Sequence, residues 1–196
     1  MPIKREIPYN SGHFFITFTC YKWLWLIDIT NSYDLVYNWF DHLKLKGHFI
    51  TGYVMMPNHV HATIAFKKTT KSINKIIGDG KRFIGYEIIN RLKQNNSTDI
   101  LQQLQNAVNR SDKNKGKLHE VLEDSFDWKE CNSSEFIVQK LDYMHNNPFA
   151  GKWQLCVNAM EYFHSSAKFY ITGEQGIYPV LNFRELDDLN LNRLPE

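Results

Sequence analysis

Hydrophobic positions alternate with polar ones from His13 to Cys20: Phe14, Ile16, Phe18 and Cys20 share one side, Phe15, Thr17 and Thr19 the other. A period of two predicts a β-strand with one face better buried. From Tyr33 to Leu45 the period changes, and Leu35, Val36, Trp39, Phe40 and Leu43 recur at helical spacing. Thr30, Asn31 and Ser32 offer N-cap chemistry upstream, and Gly47 offers a stop. Residues Phe49 to Met56 and His59 to Phe66 read as two strands joined at the turn-forming pair Pro57-Asn58. A second helix runs from Ser72 to Leu92, its apolar set being Ile73, Ile76, Ile77, Phe83, Ile84, Ile88, Ile89 and Leu92. Gly78 and Gly80 weaken its middle and leave room for a break or a shortened first turn.

Residues 94–117 are poor in large apolar side chains and rich in Gln, Asn, Ser and Lys. That is the composition of a mobile polar insertion, with room for a helical turn around Leu101 to Val108. Alternation returns from Ser125 to Cys131 as a fourth strand. Ser133 and Ser134 can cap a third helix from Glu135 to about Asn147, where Pro148 limits its continuation. The order is β-α-β-β-α-β and one more helix. It predicts an α+β, ferredoxin-like fold: a four-stranded antiparallel sheet with two helices on one face, plus an additional helix carrying Tyr143. One domain is expected over 1–170, containing the 94–117 insertion, with a C-terminal tail over 171–196.

Composition narrows the class. A chain of 196 residues with 43% hydrophobic and 22% charged residues is a soluble globular domain with a proper core. Cys20, Cys131 and Cys156 are odd in number and widely spaced, which speaks against a disulfide scaffold and suits a reducing cytoplasm. No stretch reaches the roughly 18 apolar residues of a membrane span. Met1 to Pro8 lacks the apolar run of a signal peptide. Charge is unevenly spread: Lys67 to Lys117 holds twelve basic against four acidic residues, while the rest of the chain is net acidic. Such asymmetry points either to a polyanionic partner or to a merely solvated face.

Two stretches carry chemistry. In Tyr53-Val-Met-Met-Pro-Asn-His-Val-His61, residues His59 and His61 stand two apart on one strand, so both imidazoles share a face. Two convergent imidazoles can ligate a divalent metal. In Lys140-Leu-Asp-Tyr-Met-His-Asn-Asn-Pro148, residues Tyr143 and Asn147 stand four apart on one helical face. The Asn147 amide oxygen could complete a metal shell, and hard oxygen beside imidazole suits Mg²⁺ or Mn²⁺. Tyrosine is a poor nucleophile at its usual pKa of about 10 and becomes useful against an electrophile polarised by a metal. His145 points to a different helical face.

With Ser165-Ser-Ala-Lys-Phe-Tyr170, these motifs resemble the HUH single-tyrosine transposases, and within them the REP-associated tyrosine transposase-like branch; the resemblance covers roughly Gly12 to Tyr170. It implies metal-dependent nicking and joining of single-stranded DNA beside a hairpin. His59, His61 and Asn147 would hold Mg²⁺ or Mn²⁺, and Tyr143 would form a 5′-phosphotyrosine. It also implies a monomer that acts at the nucleoid of a bacterial-type cytoplasm. Lys67, Lys68, Lys71, Lys75, Lys81 and Arg82 become phosphate-contact candidates. Tyr86 becomes a base-stacking candidate, while Phe83 is expected in the helix core. Two stretches depart from the family pattern, Val121 to Phe126 and Phe149 to Trp153, and they bear on substrate recognition.

Two rival readings remain. His61-Ala-Thr63 and His164-Ser-Ser166 each match the pattern of a metal-independent two-histidine phosphoesterase. A host-adopted protein that binds DNA hairpins without cutting them is the other.

Overall fold

The two runs flanking Pro57-Asn58 pair with each other, and the first strand pairs beside them. In chain order the elements are β1 (Gly12–Thr19), a 3-10 turn over Tyr21–Trp23, α1 (Leu26–Ile29), α2 (Tyr33–Leu45), β2 (Phe49–Met56) and β3 (His59–Phe66). Then come α3 (Ile73–Gln94), α4 (Thr98–Asn106), α5 (Arg110–Asn114), β4 (Asp127–Glu130), α6 (Ser134–Asn146) and α7 (Ala167–Thr172). The computed structural model describes residues 6–192; residues 1–5 and 193–196 of the expected domain and tail lie outside the described residues. The strands lie in the order β2-β3-β1-β4 with every neighbour antiparallel, the ferredoxin-like arrangement.

Alternation decides what each face buries. Phe14, Ile16 and Phe18 of β1 and Val60, Ala62, Ile64 and Phe66 of β3 join Val36, Trp39, Phe40 and Leu43 of α2. Ile73, Ile77, Ile84 and Ile88 of α3 complete that core. The opposite face presents Phe15, Val54, Met56 and Ala65 to Ile137, Leu141 and Met144 of α6. Burying each of these three helix side chains contributes roughly 1.5–3 kcal/mol. All eight residues of β3 are buried because it is covered on both faces and paired on both sides.

Several expectations are corrected. The helix over Gly78 and Gly80 is unbroken for 22 residues. Gly80 is a contact residue, since a Cβ there would stand 2.2 Å from Trp39 Nε1. Phe83 lies on the outer face of α3, 71% exposed, not in the core. Ser32 makes no cap bond; its buried hydroxyl meets Thr30 Oγ1 at 2.6 Å. The polar segment 94–117 folds into α4 and α5, with Leu104 and Val108 buried. The C-terminal segment buries Tyr178, Val180, Phe183 and Leu186 against the two core layers.

Candidate active site

His59 and His61 open β3 and lie beneath α6, both buried, with ring centroids 4.7 Å apart. Each is oriented from behind. The Nδ1 of His59 stands 2.7 Å from Asn58 Oδ1, and that oxygen can only accept, so Nδ1 carries the proton. Thr17 faces His61 in register across β1 and β3, and its hydroxyl meets His61 Nδ1 at 2.7 Å. Both Nε2 atoms are thereby left for other partners, the arrangement usual behind a metal-ligating histidine.

Burial keeps both rings neutral. His59 is lowered to about 4 by burial, with Lys152 adding to it. His61 is held well below the usual histidine range by burial, then by His59 and Lys140. A neutral imidazole is the form that ligates.

Helix α6 brings the other half. Ser133 Oγ accepts from Phe136 N to start the helix, and Pro148 follows its end. Its position over the sheet depends on two small residues. Gly52 sits at a register shift in β2, where a Cβ would stand 2.5 Å from Leu141 Cδ2 and 2.6 Å from Met144 Cε. His145 is buried and its Nε2 meets Ser166 Oγ at 2.9 Å, while Tyr53 N donates to the same oxygen. The Ser165-to-Tyr170 motif thus ties α6 to the edge of β2, where Val54 pairs with Ser165.

The outcome is convergence. The Tyr143 ring lies edge-on to His61 at 5.4 Å and to Phe15 at 6.2 Å, and is 55% exposed. Asn147 Nδ2 stands 3.2 Å from His59 Nε2. A half-turn about the terminal bond exchanges that nitrogen for Oδ1, the atom a hard cation would take. The donor set fits a divalent metal on one further observation: His61 Nε2 is buried without a hydrogen-bond partner among the described residues. An orphaned buried ring nitrogen is costly unless a ligand meets it.

No protein-family model and no curated protein sequence matches the chain. Among solved structures, that of a REP-associated tyrosine transposase bound to a REP hairpin aligns with a TM-score of 0.62 over 92% of each chain. The fold is that of a REP-associated tyrosine transposase. At 14% identity the likeness is one of fold.

Two of the basic candidates lie away from the histidines. Lys67 and Lys68 follow the far end of β3, eight and nine residues from His59, roughly 25 Å along a strand. Lys71 and Arg82 both pair with Asp79, Arg82 at 3.0 Å, and Lys75 is exposed one turn away. Lys81 is different: its buried ammonium donates to the carbonyls of Glu123 (2.6 Å), Asp124 (3.2 Å) and Ser125 (2.9 Å). That commitment takes Lys81 out of the phosphate-contact set. A separate acidic group, Asp112, Glu120 and Asp124, is held by Lys117 at 2.7 Å from Glu120 and 2.8 Å from Asp124. It forms a salt-bridge network between α5 and the segment that follows it.

The two-histidine phosphoesterase pairing is not assembled. His164 stacks on Tyr33 at 3.7 Å and meets Tyr37 Oη at 3.0 Å, among residues packed with the α2 layer. His61 faces α6 on the other side of the sheet. Sequence reasoning also missed residues. Asn58 and Thr17 orient the histidines, and Thr17 is identified only by strand register. Lys140, one turn before Tyr143, was legible: its ammonium lies 5.7 Å from the Tyr143 ring.

Proposed function

We propose that the chain is a transposase-like enzyme that nicks and rejoins single-stranded DNA beside a hairpin through a 5′-phosphotyrosine on Tyr143. The observation that carries this is the meeting of Tyr143 and Asn147 of the α6 end with His59 and His61 of β3. His59, His61 and Asn147 would hold Mg²⁺ or Mn²⁺. When bound, the ion supplies Lewis-acid polarisation of the scissile phosphate.

The chain's own residues do the remainder. The Tyr143 oxygen attacks phosphorus and loses its proton to solvent, the bond to the departing 3′-oxygen breaks, and a free 3′-hydroxyl results. Attack on the phosphotyrosine by a 3′-hydroxyl reverses these changes and joins new ends. Lys140 places positive charge beside the phenol. Asn58 and Thr17 keep the imidazoles oriented. Lys67, Lys68, Lys71, Lys75 and Arg82 are assigned to flanking DNA phosphates, Lys67 and Lys68 to those farther from the scissile one. Residues 1–170 form the catalytic unit and 171–196 a C-terminal tail, acting as a monomer in a bacterial-type cytoplasm at the nucleoid. Among the described residues no helix is long and apolar enough to cross a membrane.

The test is a denaturing gel. Wild-type protein with a hairpin oligonucleotide and Mn²⁺ forms a covalent adduct, and Tyr143→Phe forms none. Hairpin binding with no adduct in the wild type would instead favour a non-cleaving hairpin-binding protein.

A further inference from the structure

Beside His59 the backbone does something unusual. Lys22 and Trp23 are consecutive non-glycine residues at positive φ, 49° and 60°. Such conformations cost energy and persist where surrounding contacts over-determine them, often at functional sites. Four hydrogen bonds do so here. Tyr21 N donates to Val121 O (2.9 Å), Lys22 N to Glu123 Oε1 (2.9 Å) and Trp23 N to Cys20 O (3.0 Å). Asn58 Nδ2 donates to Trp23 O at 2.9 Å, from the same amide that orients His59.

The result is a displayed indole. Trp23 is 57% exposed and lies edge-on to His59 at 5.4 Å. Trp153 approaches the same imidazole at 5.8 Å, and Trp25, 46% exposed, meets Trp153 at 5.8 Å. Two of the chain's five tryptophans therefore meet one histidine, and a third, Trp25, extends the cluster through Trp153; Trp23 and Trp25 are both exposed. Charge at this mouth suits a polyanion. Lys152 Nζ lies 5.3 Å from the Trp153 ring, and Lys22 is exposed beside Trp23.

We propose that Trp23, Trp25 and Trp153 form a stacking platform for unpaired nucleobases next to the scissile phosphate, with Lys22 and Lys152 on the adjoining phosphates. Indole faces accept any base, so the platform selects unpaired over paired DNA instead of a sequence. Asn58 links the two functions as a positioning residue, holding the Trp23 turn through Nδ2 and the His59 ring through Oδ1. This inference rests on the DNA-nicking reading and names part of its substrate contact.

The experiment compares two hairpin oligonucleotides with unpaired tails of equal length, one with normal bases and one abasic. Both keep their phosphates. Binding is measured by anisotropy on the full chain in EDTA, so neither metal nor Tyr143 chemistry enters. Wild type should favour the base-bearing tail by about tenfold or more. The double change Trp23→Ala and Trp25→Ala should abolish that preference and leave affinity for the abasic hairpin intact. Trp23→Phe should retain part of it. Equal binding of both tails by wild type, or full preference in the double variant, overturns the platform. The adduct assay with Mn²⁺ runs in parallel: an adduct without base preference sinks this inference alone, and base preference without an adduct sinks the nicking reading and leaves the tryptophans as a base-binding surface.

Discussion

His59 Nε2 lies 3.2 Å from the side-chain amide of Asn147, although 88 residues separate them. One residue opens a central strand and the other caps the helix that lies over it. Their meeting joins a strand-borne imidazole pair to the helix that carries Tyr143. The donor set exists only because α6 crosses the sheet at this height.

Tyr143 is exposed enough to be changed without harm to the fold. Tyr143→Phe should alter stability by no more than about 0.5 kcal/mol, the usual range for a surface substitution. Hairpin binding should persist while the covalent adduct disappears. A thermal melt and a denaturing gel read the two effects separately.

The Nε2 of His61, without a hydrogen-bond partner among the described residues, predicts stabilisation by metal. Mn²⁺ at about 100 times its dissociation constant should add about 2.7 kcal/mol to the folded state, and EDTA should reverse it. His61→Ala should remove the Mn²⁺-dependent rise in melting temperature. Asn58→Ala keeps all three ligands but loosens His59, and should weaken Mn²⁺ about 10–100-fold by calorimetric titration.

Gly52 sets the seat of α6. In Gly52→Ala the new Cβ would crowd Leu141 Cδ2, Met144 Cε and Thr63 Oγ1; Leu141 and Met144 are buried with no free space to swing into, so α6 is displaced. The cost in stability should be about 1–3 kcal/mol by urea unfolding. Adduct formation should fall by about 100-fold, since a displacement of about 1 Å in reacting groups costs that much.

Lys81 and Arg82 are neighbours with different work. Lys81→Ala strips three backbone carbonyls of a charged donor and should cost at least about 2 kcal/mol. The salt dependence of DNA binding should stay as in wild type. Arg82→Ala should leave stability nearly unchanged and reduce the slope of log affinity against log salt by about one.

His13 sets an acid limit. Burial lowers it to about 4, and its Nε2 meets Thr51 Oγ1 at 2.8 Å. The unfolded chain has this group near the usual 6.5, so between the two values the unfolded state binds the extra proton. The contribution is complete above about 6.5 and is lost as pH falls toward 4, by at most about 3 kcal/mol. His13→Gln should make the stability profile less steep across that window in urea titrations, with His48, His145 and His164, also lowered to about 4 by burial, supplying part of the slope that remains.

Period and punctuation determined much of this protein before any fold was known. A period of two and a period of 3.6 placed the strands of the β2–β3 hairpin and α2 at their observed bounds, because local backbone geometry imposes those periods. The same alternation put His59 and His61 on one face, and helical spacing put Tyr143 with Asn147. Tertiary structure decided the rest. Sequence cannot say which strand lies opposite another, so Thr17 behind His61 was invisible until register was known. Propensity read Gly80 as a weak point, when packing of Trp39 is what requires it. Hydrophobicity assigned Phe83 to the core, yet its helical azimuth faces outward. Charge counted Lys81 among the phosphate contacts, but three carbonyls hold it inside. Nothing local marked Trp23 and Trp153, 130 residues apart, as neighbours of one histidine. Periodicity reports which way a side chain faces along its own element; only the packing of elements decides what it meets there.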